Sequence, residues 1–228
     1  MKVLFVITSF ENGGWLSEIT HPYWHLSERD VEVDFASPQG GKVTWSPYSD
    51  PYGEGTTEPH DVVSKGFLSD PQLVERLKTT LVLRDVDLDQ YDAVHVAGGQ
   101  GATFDLYPNP EVGKVLEHFW MREKIVAAIC HGAIALGNVP ELIRGRSLTG
   151  YPAAQDSELE RLFGAGFIPH YPQQVLEEAG ARYQEAGTDA PCVVIDGKLL
   201  TGQNQQSASE YGIVLYHLIS GHSPMVAA

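Results

Sequence analysis

Ile125-Val126-Ala127-Ala128-Ile129-Cys130-His131-Gly132-Ala133 is the stretch on which the reading of this chain turns. An apolar, β-branched run with no polar alternation is buried on both faces, as a central strand of a parallel sheet is. It stops abruptly at a Cys-His-Gly. The residues that follow, Ala133 to Gly137, are small and helix-compatible. A cysteine between strand and helix, with Ala128 two residues before it and Gly132 two after, has the layout of a nucleophile elbow. Small neighbours let the backbone turn sharply and project the side chain beyond the sheet edge. A helix starting there would aim its N-terminus at the sulfur and favour the thiolate. The alternative is a buried structural cysteine, a common core residue; the layout favours the elbow.

Strand-like and helix-like patterns alternate outward from this point. Strands are expected over 2–8, 31–36, 93–97 and 147–150, with a hairpin at 193–201 turning on Asp196-Gly197. Helices are expected from Trp15 to Glu28, from Asp70-Pro71 to about Thr80, from Asn109-Pro110 to about Arg122, over 157–163 and 173–179, and from Ser207 to Ser220. Residues 38–66 are rich in Gly, Pro, Ser and Asp without periodicity, and read as a long loop over the site. The pattern predicts an α/β fold, a doubly wound and mostly parallel sheet flanked by helices. With no repeat, low-complexity tract or linker, residues 1–228 are expected to form a single domain.

Composition narrows the function. The chain has 228 residues, 43% of them hydrophobic and 20% charged, with a formal net charge of −15. No basic stripe suits nucleic acid or an anionic membrane, so neither is an expected partner. The start of the chain is too short and lacks the cleavage site for a signal peptide, and no run has the length of a membrane span. The two cysteines, Cys130 and Cys192, form neither a metal-ligand spacing nor a disulfide framework. A reducing cytoplasm is the expected setting. His21 and His25 have i,i+4 spacing but no acidic residue between them, so no metal is expected.

In an open α/β sheet the ligand crevice lies beyond the carboxyl ends of the strands. Three such ends carry unusual residues: Ser9 to Glu18, Gly98-Gly99-Gln100-Gly101, and Cys130-His131. Gly98-Gly99 would let backbone N–H groups approach a substrate, and the N–H groups of Gly99 and His131 are placed to form an oxyanion hole. A plain tight turn is the alternative. Glu18 reads either as a surface carboxylate or as one hydrogen-bonded to Cys130, and the pattern does not choose. The ring of His131, adjacent in sequence to Cys130, is not easily brought onto the same sulfur.

These segments resemble the ThiJ/PfpI superfamily, and most closely its branch of glyoxalase III, deglycase and stress-chaperone proteins. The resemblance rests on Gly14-Trp15-Leu16-Ser17-Glu18 with His21-Pro22-Tyr23, and on Ala36-Ser37-Pro38-Gln39-Gly40-Gly41. It continues through Ala97-Gly98-Gly99-Gln100-Gly101-Ala102, Ala128-Ile129-Cys130-His131-Gly132-Ala133, Leu148-Thr149-Gly150-Tyr151-Pro152 and Leu200-Thr201-Gly202-Gln203-Asn204. They fall in family order over about residues 2 to 220. The implied fold is the flavodoxin-like, class I glutamine amidotransferase-like one. The implied roles make Cys130 the nucleophile, Glu18 the carboxylate at its sulfur, His131 the second catalytic residue and Asp156 an acidic third. Asp156 also reads as the N-cap of a helix beginning at Ser157. Gly98, Gly99, Gln100 and Trp15 would contact substrate. Many members of that branch carry His where Gln100 stands, and Pro where Ala133 and Gln205 stand.

The resemblance implies a cofactor-independent, glyoxalase III-like or deglycase activity on methylglyoxal, glyoxal or glycated side chains, in a homodimer. A cysteine peptidase or amidase is the second expectation. A holdase chaperone or redox-stress protein, exposing apolar surface or oxidising Cys130, is the third.

Overall fold

The computed structural model describes residues 1–221; the last seven residues of the expected 1–228 domain lie outside the described residues. In chain order the elements are β1 (Lys2–Val6), α1 (Leu16–Ser27), β2 (Glu32–Ser37), α2 (Val62–Ser69), α3 (Pro71–Lys78) and β3 (Leu81–Val82). Then come β4 (Ala93–Val96), α4 (Ala102–Asp105), α5 (Pro110–Met121), β5 (Ile125–Ile129), α6 (Pro140–Ile143) and β6 (Ser147–Leu148). The chain continues with α7 (Ala153–Phe163), α8 (Pro172–Glu178), β7 (Arg182–Tyr183), β8 (Val193–Asp196), β9 (Leu199–Gly202) and α9 (Ala208–Ser220).

Seven strands form one sheet in the order β3-β2-β1-β4-β5-β9-β8. Every pairing is parallel except the β8–β9 hairpin. β6 and β7 make a separate parallel pair. The sheet's apolar runs are continuous because both faces are covered. Leu4, Val6, Val94, Val96, Val126 and Ala128 pack with Leu116 and Phe119 of α5 and Leu176 of α8. The alternate residues Val3, Phe5, Ile7, Ala127 and Ile129 pack with Ile19 and Leu26 of α1 and with Tyr211 and Leu215 of α9. Each fully buried Leu or Phe contributes about 1.5–3 kcal/mol.

The strand order reverses direction at β1. The chain goes outward from β1 to β2 and β3, then returns to the other side for β4 and β5. A crevice therefore opens between the carboxyl ends of β1 and β4, beside that of β5.

Some local expectations are corrected. Residues 38–66 are not all loop: Pro47–Ser49 is a 3-10 turn, and α2 begins at Val62 with Asp61 as its N-cap, accepting from the N–H groups of Val63 and Ser64. The helix expected after Cys130 is a run of 3-10 turns from Cys130 to Asn138. The helix expected at Ser157 begins at Ala153, with Pro152 in the cap position, so Asp156 lies inside its first turn and does not cap it.

Candidate active site

Cys130 closes β5 with φ +57°, in the left-handed region that a side chain rarely adopts. Such a conformation costs on the order of 1–3 kcal/mol and persists only where the surroundings enforce it. The enforcement comes from both sides. The N–H of Tyr151 donates to the Cys130 carbonyl at 3.2 Å. Gly98 packs so closely that a Cβ there would lie 2.4 Å from Glu18 Oε2 and 2.9 Å from Cys130 Cβ. At Gly99, φ is +95° and a Cβ would meet Gly13 O at 2.2 Å. Both glycines are therefore required for close approach, and the alternative of a plain turn does not explain them.

The same contacts bring the three strand ends together. Trp15 N–H donates to Gly98 O at 3.2 Å and Gly101 N–H to Gly13 O at 3.0 Å. The 38–66 tract joins them: Gly14 N–H donates to Thr44 O at 3.1 Å and Ser46 N–H to Gly14 O at 2.8 Å.

The ring of His131 does reach the sulfur, contrary to expectation. Its Nδ1 lies 3.5 Å from Cys130 Sγ, and its Nε2 lies 2.8 Å from Asp156 Oδ1. Because a carboxylate accepts, Nε2 carries the proton and Nδ1 is free to accept one from the thiol. The first turn of 3-10 structure brings the ring back beside its neighbour, where a strand would have sent it to the opposite face. Tyr151 stacks on the imidazole, centroids 4.2 Å apart, and fixes its plane. Burial lifts the Asp156 carboxyl above its usual range, and the neighbouring His131 pulls it back down.

Glu18, in the first turn of α1, has no exposed surface. Neither carboxyl oxygen finds a hydrogen-bond partner of ordinary geometry among the described residues. Burial pushes its carboxyl well above the usual carboxylate range; the nearby Cys130 thiol and Gly98 amide pull it partly down, while the charge of Glu58 raises it. A buried carboxyl with idle oxygens is costly unless it is neutral. Burial thus favours the neutral form of Glu18 beside the sulfur.

Cys130 is 3% exposed. Burial and then Glu18 push its pKa well up, against the N–H groups of His131 and Gly99, which bond the sulfur and lower it. This corrects the expectation of a thiolate favoured by a helix terminus: no α-helix starts there, and burial outweighs two amide donors. Both amides thus meet at Sγ.

The other expected residues are placed differently. Gln100 spends its side-chain N–H on Asn12 O at 3.2 Å. Trp15 donates its indole N–H to Glu58 Oε1 at 3.0 Å, and Ser17 Oγ donates to the same oxygen at 3.2 Å. Glu58 and Tyr151 are site residues the pattern did not single out. Burial raises the Glu58 carboxyl too. Nothing local marks Glu58, which reaches the site only through the docking of its tract. Tyr151 stood in the Leu148 to Pro152 segment, adjacent to the turn that packs on Cys130. Among the described residues no grouping of three or more His, Cys, Asp and Glu could hold a metal ion. His21 instead pairs with Asp61 at 3.0 Å.

Comparisons with known proteins agree with this fold. The chain is 28% identical over 230 residues to Glyoxalase 3 of Candida albicans, covering 91% of this chain and 94% of that protein. It is 26% identical over 235 residues to a glutathione-independent glyoxalase of Saccharomyces cerevisiae, covering 91% and 93%. Among solved structures, the Rapid Encystment Protein 24 KDa of Francisella tularensis superposes with a TM-score of 0.84 at 30% identity, over 96% of this chain and 99% of that one. A model of the DJ-1/PfpI family matches residues 1–217. The chain belongs to the DJ-1/PfpI family.

Proposed function

We propose that the protein is a glyoxalase III-like enzyme that converts methylglyoxal or glyoxal to the 2-hydroxy acid without a thiol cofactor. The observation that carries this reading is the fully buried Glu18 carboxyl set beside the Cys130 thiol, where burial favours its protonated form. A hydrolase needs the Cys130–His131–Asp156 relay alone. An aldehyde isomerisation also needs an acid that gives up a proton and then moves another between two carbons.

The sulfur adds to the aldehyde carbon as its proton passes to His131 Nδ1, and Asp156 stabilises the imidazolium. Glu18 gives its proton to the aldehyde oxygen, beside the Gly99 and His131 N–H groups, forming a hemithioacetal. The Glu18 carboxylate then removes the hydrogen on that carbon while His131 protonates the second oxygen, giving an enediol. Glu18 returns its proton to the second carbon and His131 takes that of the first hydroxyl, leaving a thioester. Water adds its hydroxyl to the acyl carbon and its proton to Glu18, and the sulfur leaves with the His131 proton, which releases the 2-hydroxy acid and restores the thiol, the imidazole and the acid. A carboxyl held above its usual range suits this shuttle, since it is a stronger base once ionised. A hemiaminal adduct that breaks its C–N bond, releasing the amine and presenting the free aldehyde to Cys130, would follow the same steps, which is the deglycase form of the reaction.

The test is lactate formation from methylglyoxal by purified protein with no glutathione present. Cys130→Ser should abolish it, and Glu18→Gln should lower kcat by about 10²–10⁴-fold. Absence of lactate under conditions where a known glyoxalase produces it rules the reading out. The peptidase or amidase reading draws on the Cys–His–Asp arrangement, but a cysteine only 3% exposed gives a peptide no access. Cleavage of a fluorogenic peptide, lost in Cys130→Ser, would reverse that preference.

A further inference from the structure

Two aromatic side chains, one on the tract docked against α1 and one at the end of the helix that carries Asp156, meet without sharing in the chemistry of the site. The rings of Tyr48 and Phe163 pack with centroids 5.9 Å apart, yet the residues remain 41% and 46% exposed. Each is tied to a different side of Cys130. Tyr48 lies in the Pro47–Ser49 turn, and Ser49 Oγ accepts the N–H of Leu16 at 3.0 Å, two residues before Glu18. The Tyr48 carbonyl is pinned by Thr57 N–H at 2.9 Å and by the hydroxyls of Thr56 and Thr57, each at 3.1 Å. Phe163 ends α7, about 10 Å along the helix from Asp156, and stacks on Phe167 with centroids 4.7 Å apart.

The aromatic contact therefore joins the Glu18 side of the site to the His131–Asp156 side. It completes a circuit of contacts around a cysteine that is 3% exposed. The ring pair is a partly exposed link in that circuit.

We propose that Tyr48 and Phe163 form a gate that sets the size of the carbonyl compound reaching Cys130, passing small free aldehydes and holding back bulky ones. This rests on the reading of Cys130 as a carbonyl-directed nucleophile, and narrows its substrate class. The gate works by excluded volume, so shortening either ring widens it while leaving the acid, base and nucleophile in place.

The test uses a Cys192→Ser background, in which Cys130 is the one remaining thiol. Alkylation of the folded protein by iodoacetamide and by N-(1-pyrenyl)maleimide is followed by mass spectrometry. Phe163→Ala and Tyr48→Ala should each raise the bulky-to-small rate ratio, by about tenfold if loss of the ring pair opens the gate fully. The kcat/KM for phenylglyoxal relative to methylglyoxal should rise in the same direction. An unchanged labelling ratio in both variants overturns the gate. If no aldehyde is turned over, the glyoxalase reading fails, while the labelling ratio still decides the gate. The two variants lie on separate elements, so misfolding of one leaves the other to decide.

Discussion

Glu18 shows how the site trades stability for chemistry. Its folded pKa is raised well above the ordinary 4.5 by burial. Above that ordinary value the unfolded chain has lost this proton while the folded protein keeps it, so folding takes up a proton. The sign follows: the Glu18 contribution is fully present below the unfolded pKa and declines as pH rises toward the folded one. Glu18→Gln cannot titrate. The melting temperature of the variant should therefore gain on that of the wild type as pH rises from about 5 toward the folded pKa. A difference that stays flat across that range would mean the carboxyl is ionised in the folded protein. Cys130 shows the same trade in the backbone, where a non-glycine residue at φ +57° is held by Gly98 and Tyr151.

Element by element, legibility in the sequence follows where the deciding force acts. The five residues of β5 and the Asn109 and Asp70 caps were readable because local chemistry settles them; Asn109 and Asp70 each accept from the N–H groups that follow. Cys130, Gly98 and Gly99 are readable because they sit at strand ends that the topology must bring together, whereas the pattern leaves Glu18 open and only the family resemblance sets it at the sulfur. The ring of His131 was misjudged because its direction depends on whether the next turn is α or 3-10. β3 and β7 escaped notice because two residues carry no periodicity. α2 was missed inside a polar tract, although Asp61 was a readable cap. Burial alone would raise the Asp61 carboxyl, but His21 and the Ser64 donors outweigh it and hold it down to about 2 from an ordinary 3.8. Asp61→Ala should cost about 1–2 kcal/mol at neutral pH, discounted because the group is only half-buried. A depressed pKa contributes stability above the unfolded value and loses it as pH falls through the folded one. The gap between wild type and variant in urea unfolding should thus narrow below about pH 4 and close through pH 2; an equal gap at pH 7 and pH 3 would place the Asp61 effect in packing.

At the scale of the whole molecule, one buried polar network ties the sheet to the two helices behind it and to the site. His95 on β4 is fully buried. Its Nε2–H donates to the Glu18 carbonyl at 3.0 Å, and its Nδ1 accepts from the Tyr211 hydroxyl of α9 at 2.8 Å. The ring also packs edge-on against Phe5 of β1, centroids 4.4 Å apart. The network thus fixes the first turn of α1, and with it the acid beside Cys130, against β1, β4 and α9 together. Burial lowers the His95 pKa from 6.5 to about 3, with the Glu18 carbonyl bond opposing the shift, so the ring is neutral in the folded protein. Unfolding exposes it to protonation at any pH between those two values. The unfolded chain then binds the extra proton, and stability falls as pH drops from 6.5 toward 3. Glu18 acts in the opposite sense over part of this range, so the wild-type curve alone does not isolate His95. The difference from His95→Gln does, because both proteins keep Glu18. The variant should be less stable at pH 7, having lost the ring packing and one of two buried hydrogen bonds, by about 1–3 kcal/mol. That deficit should shrink as pH is lowered from about 6.5 to 4, because the variant has no buried imidazole to protonate on unfolding. Urea unfolding at half-unit pH intervals measures it. A deficit that holds constant or widens on acidification would show that His95 is already protonated in the folded state, and that the Glu18 helix is held by a charge in place of a neutral ring.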